Sequence, residues 1–485
     1  MHKKKSRTKI GEKKKTPKGW IAFGSTLLLL TIGVALWNKD RFISSNSVRS
    51  GKIQKVALTE IPALKQRLFD LNRGIGAEKT TVRIERYNEQ IDICRTILIS
   101  TKNPSDQEFA KKALLNAHSI LFTLDESRKF ELPEVQATID GVINEFYDDK
   151  NPEVRSAAQE LAFRKHMILL GTRENTEESI GEFIELIKKI AADNLNSVAF
   201  VYKIGEICDI YKLVPDKAPV NSRILKVMAQ AWDSSTNSSV MEWVSSLRDE
   251  AALIDANFYE YFLKTPGGER ALSEKVLRIL PELFRKDVGS RGLDKLLTMG
   301  EQFEMNQWYS EATTLFDAVL NHLANKEVPQ KKELVTKANY GLKRLALLGS
   351  PIQFSAIDVN DKTWTQADLI GKTTLIVYFD QLADLNRLQK HRDRLLAMGK
   401  FGLQVYIVVL SPPKQVDLDL VKTAEKTFTF FVDTRAESDF FKACPISAAP
   451  YLLLIDKNGK VADINIAMDR LVKSLEVSAF RSDSK

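Results

Sequence analysis

Cysteine is scarce in this chain: 485 residues hold three, Cys94, Cys208 and Cys444, far apart in sequence. That excludes a disulfide framework and any Cys-x-x-Cys centre. Histidine is nearly as rare. His118, His166, His322 and His391 are isolated and His2 sits in a basic tail, so metal-ligand spacing is missing and neither a metal nor another cofactor is expected. Net charge is missing too, once the start of the chain is set aside. The formal +8 is concentrated in residues 1–41, where eleven Lys or Arg face only Glu12 and Asp40, leaving 60 basic against 61 acidic residues beyond. No basic groove able to follow a phosphate backbone is implied, and nucleic acid is not an expected partner. What remains is a chain with 44% hydrophobic and 28% charged residues, the composition of folded, core-burying protein in more than one domain.

The run Trp20 to Trp37 carries no charge over eighteen residues. As a helix it would span roughly 27 Å, close to a bilayer core, with an indole at each interface. Residues 1–19 just upstream are lysine-rich, so they stay cytoplasmic and the chain after residue 37 is sent across. A cleaved signal peptide is the rival; the apolar core is long for one, and Asn38-Lys39-Asp40-Arg41 offers no small-residue cleavage site. The expected organisation is a basic tail (1–19), a transmembrane helix (20–37) held in the lipid bilayer, a linker (38–54) and two folded parts. The setting is a bacterial-type inner membrane, with the bulk of the chain periplasmic or extracytoplasmic.

Residues 55–348 read as an all-α helical array. From Val82 to Leu98 apolar residues fall at Ile84, Tyr87, Ile91, Cys94, Ile97 and Leu98, one helical face that includes the cysteine. Similar patterns cover Phe109 to Leu124, Val135 to Phe146, Val154 to Leu170 and Ile180 to Ile190. Asn151-Pro152-Glu153 and Thr176-x-x-Ser179 mark helix starts; Asn103-Pro104, Pro266-Gly267-Gly268 and Asp287-Val288-Gly289 mark breaks. Cys208 lies on another apolar stripe and, like Cys94, reads as a small core hydrophobe. Asn306 to Ala312 with Leu315, Phe316 and Leu320 resembles the helix turn of tetratricopeptide-type repeats. No 34-residue period precedes it, so a tetratricopeptide-like solenoid and an irregular helical bundle used as a spacer both remain open.

From Ser350 short apolar runs alternate with helical segments. Thr374 to Phe379, Leu403 to Leu410 and Tyr451 to Ile455 suit strands buried on both faces. Helices are expected at Leu382 to Met398, about Val416 to Lys426, Glu437 to Ala443 and Met468 to Phe480, and Asp456 to Lys460 supplies a hairpin turn before a strand from Val461 to Ile466. Residues 350–482 are therefore an α/β unit. The run from Gly341 to Phe379, with Gly371-Lys372 before the first core strand, and Ala449-Pro450 followed by YLLLIDKNGKV resemble membrane-tethered thioredoxin-like proteins of the TlpA/ResA type. That resemblance implies a thioredoxin fold, a cis bond before Pro450, and a groove beside Ala449 and Pro450 that pairs with an extended peptide. It also implies two cysteines shortly after Phe379, and they are missing: the gap-free placement puts Asp384 and Arg387 there.

Thiol exchange needs a thiolate at a helix start and a second thiol to resolve the mixed disulfide. Asp384 can instead cap the helix and pair with Arg387, or the two can form a polar recognition feature together with Ala449 and Pro450. Cys444 lies about sixty positions from Asp384. The reading is a redox-inactive thioredoxin-like protein that binds or scaffolds other envelope proteins or extended peptide segments, its oligomeric state open. The alternatives are a thiol-disulfide oxidoreductase or peroxidase-type enzyme using Cys444, and a structural spacer.

Overall fold

A computed structural model of the chain describes residues 54–73, 78–124, 133–172, 176–211, 217–266, 268–380, 403–411, 428–435, 437–467 and 470–471. The basic tail, the apolar run from Trp20 to Trp37, most of the linker, and the helices expected at 382–398, 416–426 and 468–480 lie outside the described residues, except for 470–471. Among the described residues no helix is long and apolar enough to cross a membrane.

Contacts divide the chain into two units, one ending at Leu161 and the other starting at Ala162. In the first unit α1 (Ile61–Asn72), α2 (Thr80–Ser100), α3 (Pro104–Leu124) and α4 (Pro133–Phe146) precede α5 (Pro152–Thr172), which runs on past the division. The expected punctuation is in place. Asn103 Oδ1 accepts from the backbone N–H groups of Ser105 and Asp106, so that this break is also the start of α3, and Asn151 Oδ1 caps α5 through Glu153 and Val154. Cys94 is fully buried on the apolar face of α2, and burial pushes its thiol up to about 12.

His118, on α3, is buried, and burial together with the charge of Arg95 lowers it to about 4. A base depressed in the folded state contributes stability above its ordinary value near 6.5, and that stability is lost as pH falls toward 4. We expect amide protection in α2 and α3 to drop by about 2 kcal/mol between pH 6.5 and pH 5, and His118→Gln to abolish the drop. Equal protection slopes in the two proteins, measured by hydrogen exchange, would refute this.

The second unit continues with α6 (Glu177–Asn194), α7 (Val198–Tyr211), α8 (Ala218–Ala231), α9 (Ser238–Asp255), α10 (Phe258–Lys264), α11 (Ala271–Arg285), α12 (Ser290–Met305), α13 (Tyr309–Ala324) and α14 (Lys331–Ala346). Thr176 and Ser179 form a reciprocal capping box at α6. Cys208 lies against Met228, 3.7 Å between sulfurs. Close packing of the last three of these helices centres on Phe316. A Cβ added at Gly300 of α12 would come within 2.6 Å of that ring, and one at Gly341 of α14 within 2.4 Å. The two glycines form a socket that lets three helices close around one phenyl group.

The sheet follows in the same unit. A hairpin of β1 (Ser355–Ile357) and β2 (Thr363–Thr365) precedes β3 (Thr373–Phe379), β4 (Leu403–Val409), β5 (Phe428–Val432), the short helix α15 (Asp439–Ala443), β6 (Tyr451–Ile455) and β7 (Val461–Ile464). The five-stranded order is β5-β4-β3-β6-β7; β3, β4 and β5 are parallel, and β6 and β7 antiparallel. One face buries the aliphatic cluster of Leu375, Val377, Val405, Ile407, Leu452 and Leu454. On the other, Tyr378 and Tyr406 meet Tyr451, Phe431 and Phe440.

Asp456 to Lys460 closes the β6–β7 hairpin, with Asp456 Oδ1 accepting from the N–H groups of Asn458 and Lys460 and Gly459 at φ +72°. The strand expected to reach Ile466 stops at Ile464, because Asn465 turns to φ +49° and sends its side chain to α12. The outer side of β7 is occupied by the segment leaving α14. Gly349 N–H donates to Val461 O, Val461 N–H donates to Ser350 O, and Pro351 bridges Lys460.

Candidate binding site at the cis-proline loop

Ser438 caps α15 by accepting from Phe441 N–H, and the helix ends at Cys444, whose N–H donates to Phe440 O at 2.9 Å. Residues 445–450 then lead into β6, and the Ala449-Pro450 bond is cis, as the sequence resemblance implied. Two arginines hold the base of this loop from opposite sides. Arg344 of α14 donates from Nη1 to Pro445 O (3.0 Å) and Ser447 Oγ (3.4 Å). Arg435, following β5, donates to Ile446 O (3.3 Å) and to Asp380 Oδ1 (2.5 Å) at the end of β3. Pro445 and Ile446 are buried, Ala448 is exposed, and Ala449 and Pro450 are half-buried. The loop is thus anchored at its base and open at its tip.

Arg344 is itself 1% exposed and forms a buried ion pair with Glu304 of α12, 0% exposed, at 2.9 Å between Nη2 and Oε1. Nε lies 3.3 and 3.2 Å from the two carboxylate oxygens, a fork that the guanidinium geometry suits. Asn465 donates to Glu304 Oε2 and to Glu301 O. Burial pushes the Glu304 carboxyl up to about 7, with Arg344 pulling the other way. A second contact lies on β7, where Asp463 accepts from Gln307 Nε2 (2.6 Å) and from the Tyr309 hydroxyl. These bonds fasten α12, α13 and α14 to the sheet.

Cys444 lies beneath this loop, fully buried, with the Tyr378 hydroxyl as a hydrogen-bond partner. Burial pushes its thiol up to about 12, only partly offset by Arg344. At neutral pH the group is held as the thiol. All three cysteines are buried and outside any disulfide.

Of the residues singled out from sequence, Ala449 and Pro450 fall at the tip of the anchored loop, while Asp384 and Arg387 lie outside the described residues. Sequence reasoning missed Arg344, Glu304, Arg435, Asp380 and Asp463. A signal existed for two of them. Leu334, Ala338, Gly341 and Arg344 fall on one buried stripe of α14, as do Leu293, Leu297, Gly300 and Glu304 on α12. A charge at a core position of each of two nearby helices asks for a buried partner.

No family model matches the chain, and no curated protein matches it. Its structural neighbours are thioredoxin-like and thiol-disulfide oxidoreductase domains that align with about a quarter of it. The thioredoxin domain of a thiol-disulfide oxidoreductase from Bacteroides vulgatus is 19% identical over 27% of this chain and 96% of its own, with a TM-score of 0.23. The exposed lipoprotein thioredoxin of Streptococcus pneumoniae is 17% identical over 26% and 98%, with a TM-score of 0.22. DsbF of MTB, in mixed oxidised and reduced forms, is 18% identical over 26% and 95%, with a TM-score of 0.23.

Proposed function

We propose that this chain is a membrane-anchored envelope protein whose thioredoxin-like part has given up thiol chemistry and acts in binding or scaffolding. The observation that carries this reading is the state of Cys444, the one cysteine of residues 350–482: it is wholly buried and its thiol is held up to about 12. A nucleophilic cysteine requires the reverse, an accessible sulfur with a depressed pKa. The anchor, the export of the folded parts and the role of other envelope proteins as partners rest on the sequence from Lys3 to Trp37. The open tip at Ala448 to Pro450 suits an extended peptide, since pairing of that kind uses backbone groups and outlives the loss of the cysteines. Titrating the full chain with extended peptides should shift the amide resonances of Ala448 and Ala449. Shifts restricted to residues 80–285 would move binding away from this loop and sink the reading of the site.

A further inference from the structure

Arg344 faces two carboxylates of α12 and forks onto one of them. Its Nε and Nη2 bond Glu304, while Nη1 reaches the cis-proline loop at Pro445 O and Ser447 Oγ. Glu301, nearly one turn earlier, brings Oε1 to 3.7 Å from Nη2, too far for a hydrogen bond. That oxygen is buried and has no hydrogen-bond partner among the described residues. A buried carboxylate oxygen without a donor, beside a donor committed elsewhere, is a second seat for the guanidinium. The guanidinium is a rigid plane, and Nη1 is the corner opposite the Nε and Nη2 edge. A turn that seats Nη2 on Glu301 therefore swings Nη1 off the loop, where its bond to Ser447 is already 3.4 Å long.

Which seat is taken depends on where the negative charge lies. Glu304 is 0% exposed, and burial pushes its carboxyl up to about 7 against the pull of Arg344. The Glu301 side chain is 17% exposed, so water helps to support its charge. Tyr309 of α13, Tyr451 of β6 and Cys444 also face Glu304. Burial holds all three protonated near neutral pH, the thiol up to about 12 and the two hydroxyls above their ordinary range. Burial opposes the charge of Arg344, and Glu304 more than offsets it.

We propose that Arg344 is a proton-controlled latch on the cis-proline loop. With Glu304 ionised, the guanidinium sits on it and holds Pro445 and Ser447. With Glu304 protonated, the guanidinium turns to Glu301 and the loop is left pivoting on Arg435 at Ile446. The change falls between pH 8, where the carboxyl is ionised, and pH 6, where it is not. Its value to the protein rests on the proposed role of the loop: in acid the grip on an extended peptide would slacken.

The test follows the amide resonances of Ser447, Ala448 and Ala449 in the full chain, carrying isotope-labelled serine and alanine, with no peptide present. Glu301→Gln removes the charge of the second seat and should keep these resonances at one limiting position from pH 8 to pH 6. Glu304→Gln mimics the protonated carboxyl and should hold them at the other limit at both pH values. Wild-type resonances should travel the line between the two limits, the ratio of the two states changing about a hundredfold for one proton over two pH units. Wild-type resonances that stay in place would overturn the latch. So would a pH shift of equal size in Glu301→Gln, which would reduce the response to the field of a titrating carboxyl. Glu301 is partly exposed, so its variant keeps the fold and the comparison with wild type holds even if Glu304→Gln does not fold. Because no peptide enters this readout, it fails separately from the peptide titration that tests the binding site.

Discussion

Replacing Arg344 with alanine is expected to destabilise the second unit by about 3–5 kcal/mol, because Glu304 is left buried without a counter-charge. Pro445 O loses its donor in the same step, and an orphaned buried carbonyl adds to the cost. Scanning calorimetry should register the change as a fall of roughly five degrees in the melting of that unit. The pH dependence separates electrostatics from lost packing. Glu304 already sits up to about 7 through burial, and without Arg344 it rises further. The variant can therefore keep the carboxyl protonated at pH 5 but must bury an unpaired charge or unfold at pH 8, so its penalty is smaller in acid. Arg344→Met with Glu304→Leu should recover most of the stability, whereas Arg344→Lys, which cannot reach the carboxylate and the loop together, should not. A pH-independent loss of under 1 kcal/mol in Arg344→Ala would refute the account.

The second large effect concerns thiol chemistry. In insulin reduction with dithiothreitol, the wild-type full chain should show no rate above the uncatalysed one, and Cys444→Ser should be indistinguishable from it. The sulfur is buried beneath a loop clamped by Arg344 and Arg435 and is nearly all thiol at neutral pH. Even if it formed a mixed disulfide, resolution would need a second thiol, and Cys94 and Cys208 lie on buried helical faces elsewhere. Turnover in the wild type that disappears in Cys444→Ser would overturn the proposed function in favour of an enzyme. The gain-of-function arm is Asp384→Cys with Arg387→Cys. Catalysis by that variant would support the gap-free placement of the two positions at which the resemblance implies cysteines.

Much of this architecture was legible in the sequence because it depends on local pattern. The apolar runs of β3, β4 and β6 fell within a residue of their observed limits, as sheet strands buried on both faces read without alternation. Helices α2 to α6 followed from 3.6-residue periodicity and from caps such as Asn151 and Thr176, and the cis bond before Pro450 followed from the resemblance. What escaped depends on contacts between distant residues. Arg344 and Pro445 are 101 positions apart, and Tyr309 and Asp463 are 154 apart. Nothing local in Asp463 or Asn465 says that α12 and α13 will lie against them. The end of β7 was misplaced for the same reason, since Asn465 leaves the strand to reach Glu301 and Glu304.

The segment between α14 and the sheet domain has a practical consequence for dissecting the protein. Leu348 to Pro351 look like a connector, yet they complete the border of the sheet at Val461 and Lys460. A fragment starting at Ser350 would part with Leu348 and Gly349, half of that outermost pairing, and with the arginine that steadies its loop, while uncovering Asp463 and the aromatic wall around Tyr451. Such a fragment would be a poor reporter of the intact protein: weak folding or sticky behaviour in it would reflect where the scissors fell. A cut upstream of α12 keeps Glu304, Tyr309 and Arg344 with the strands they hold.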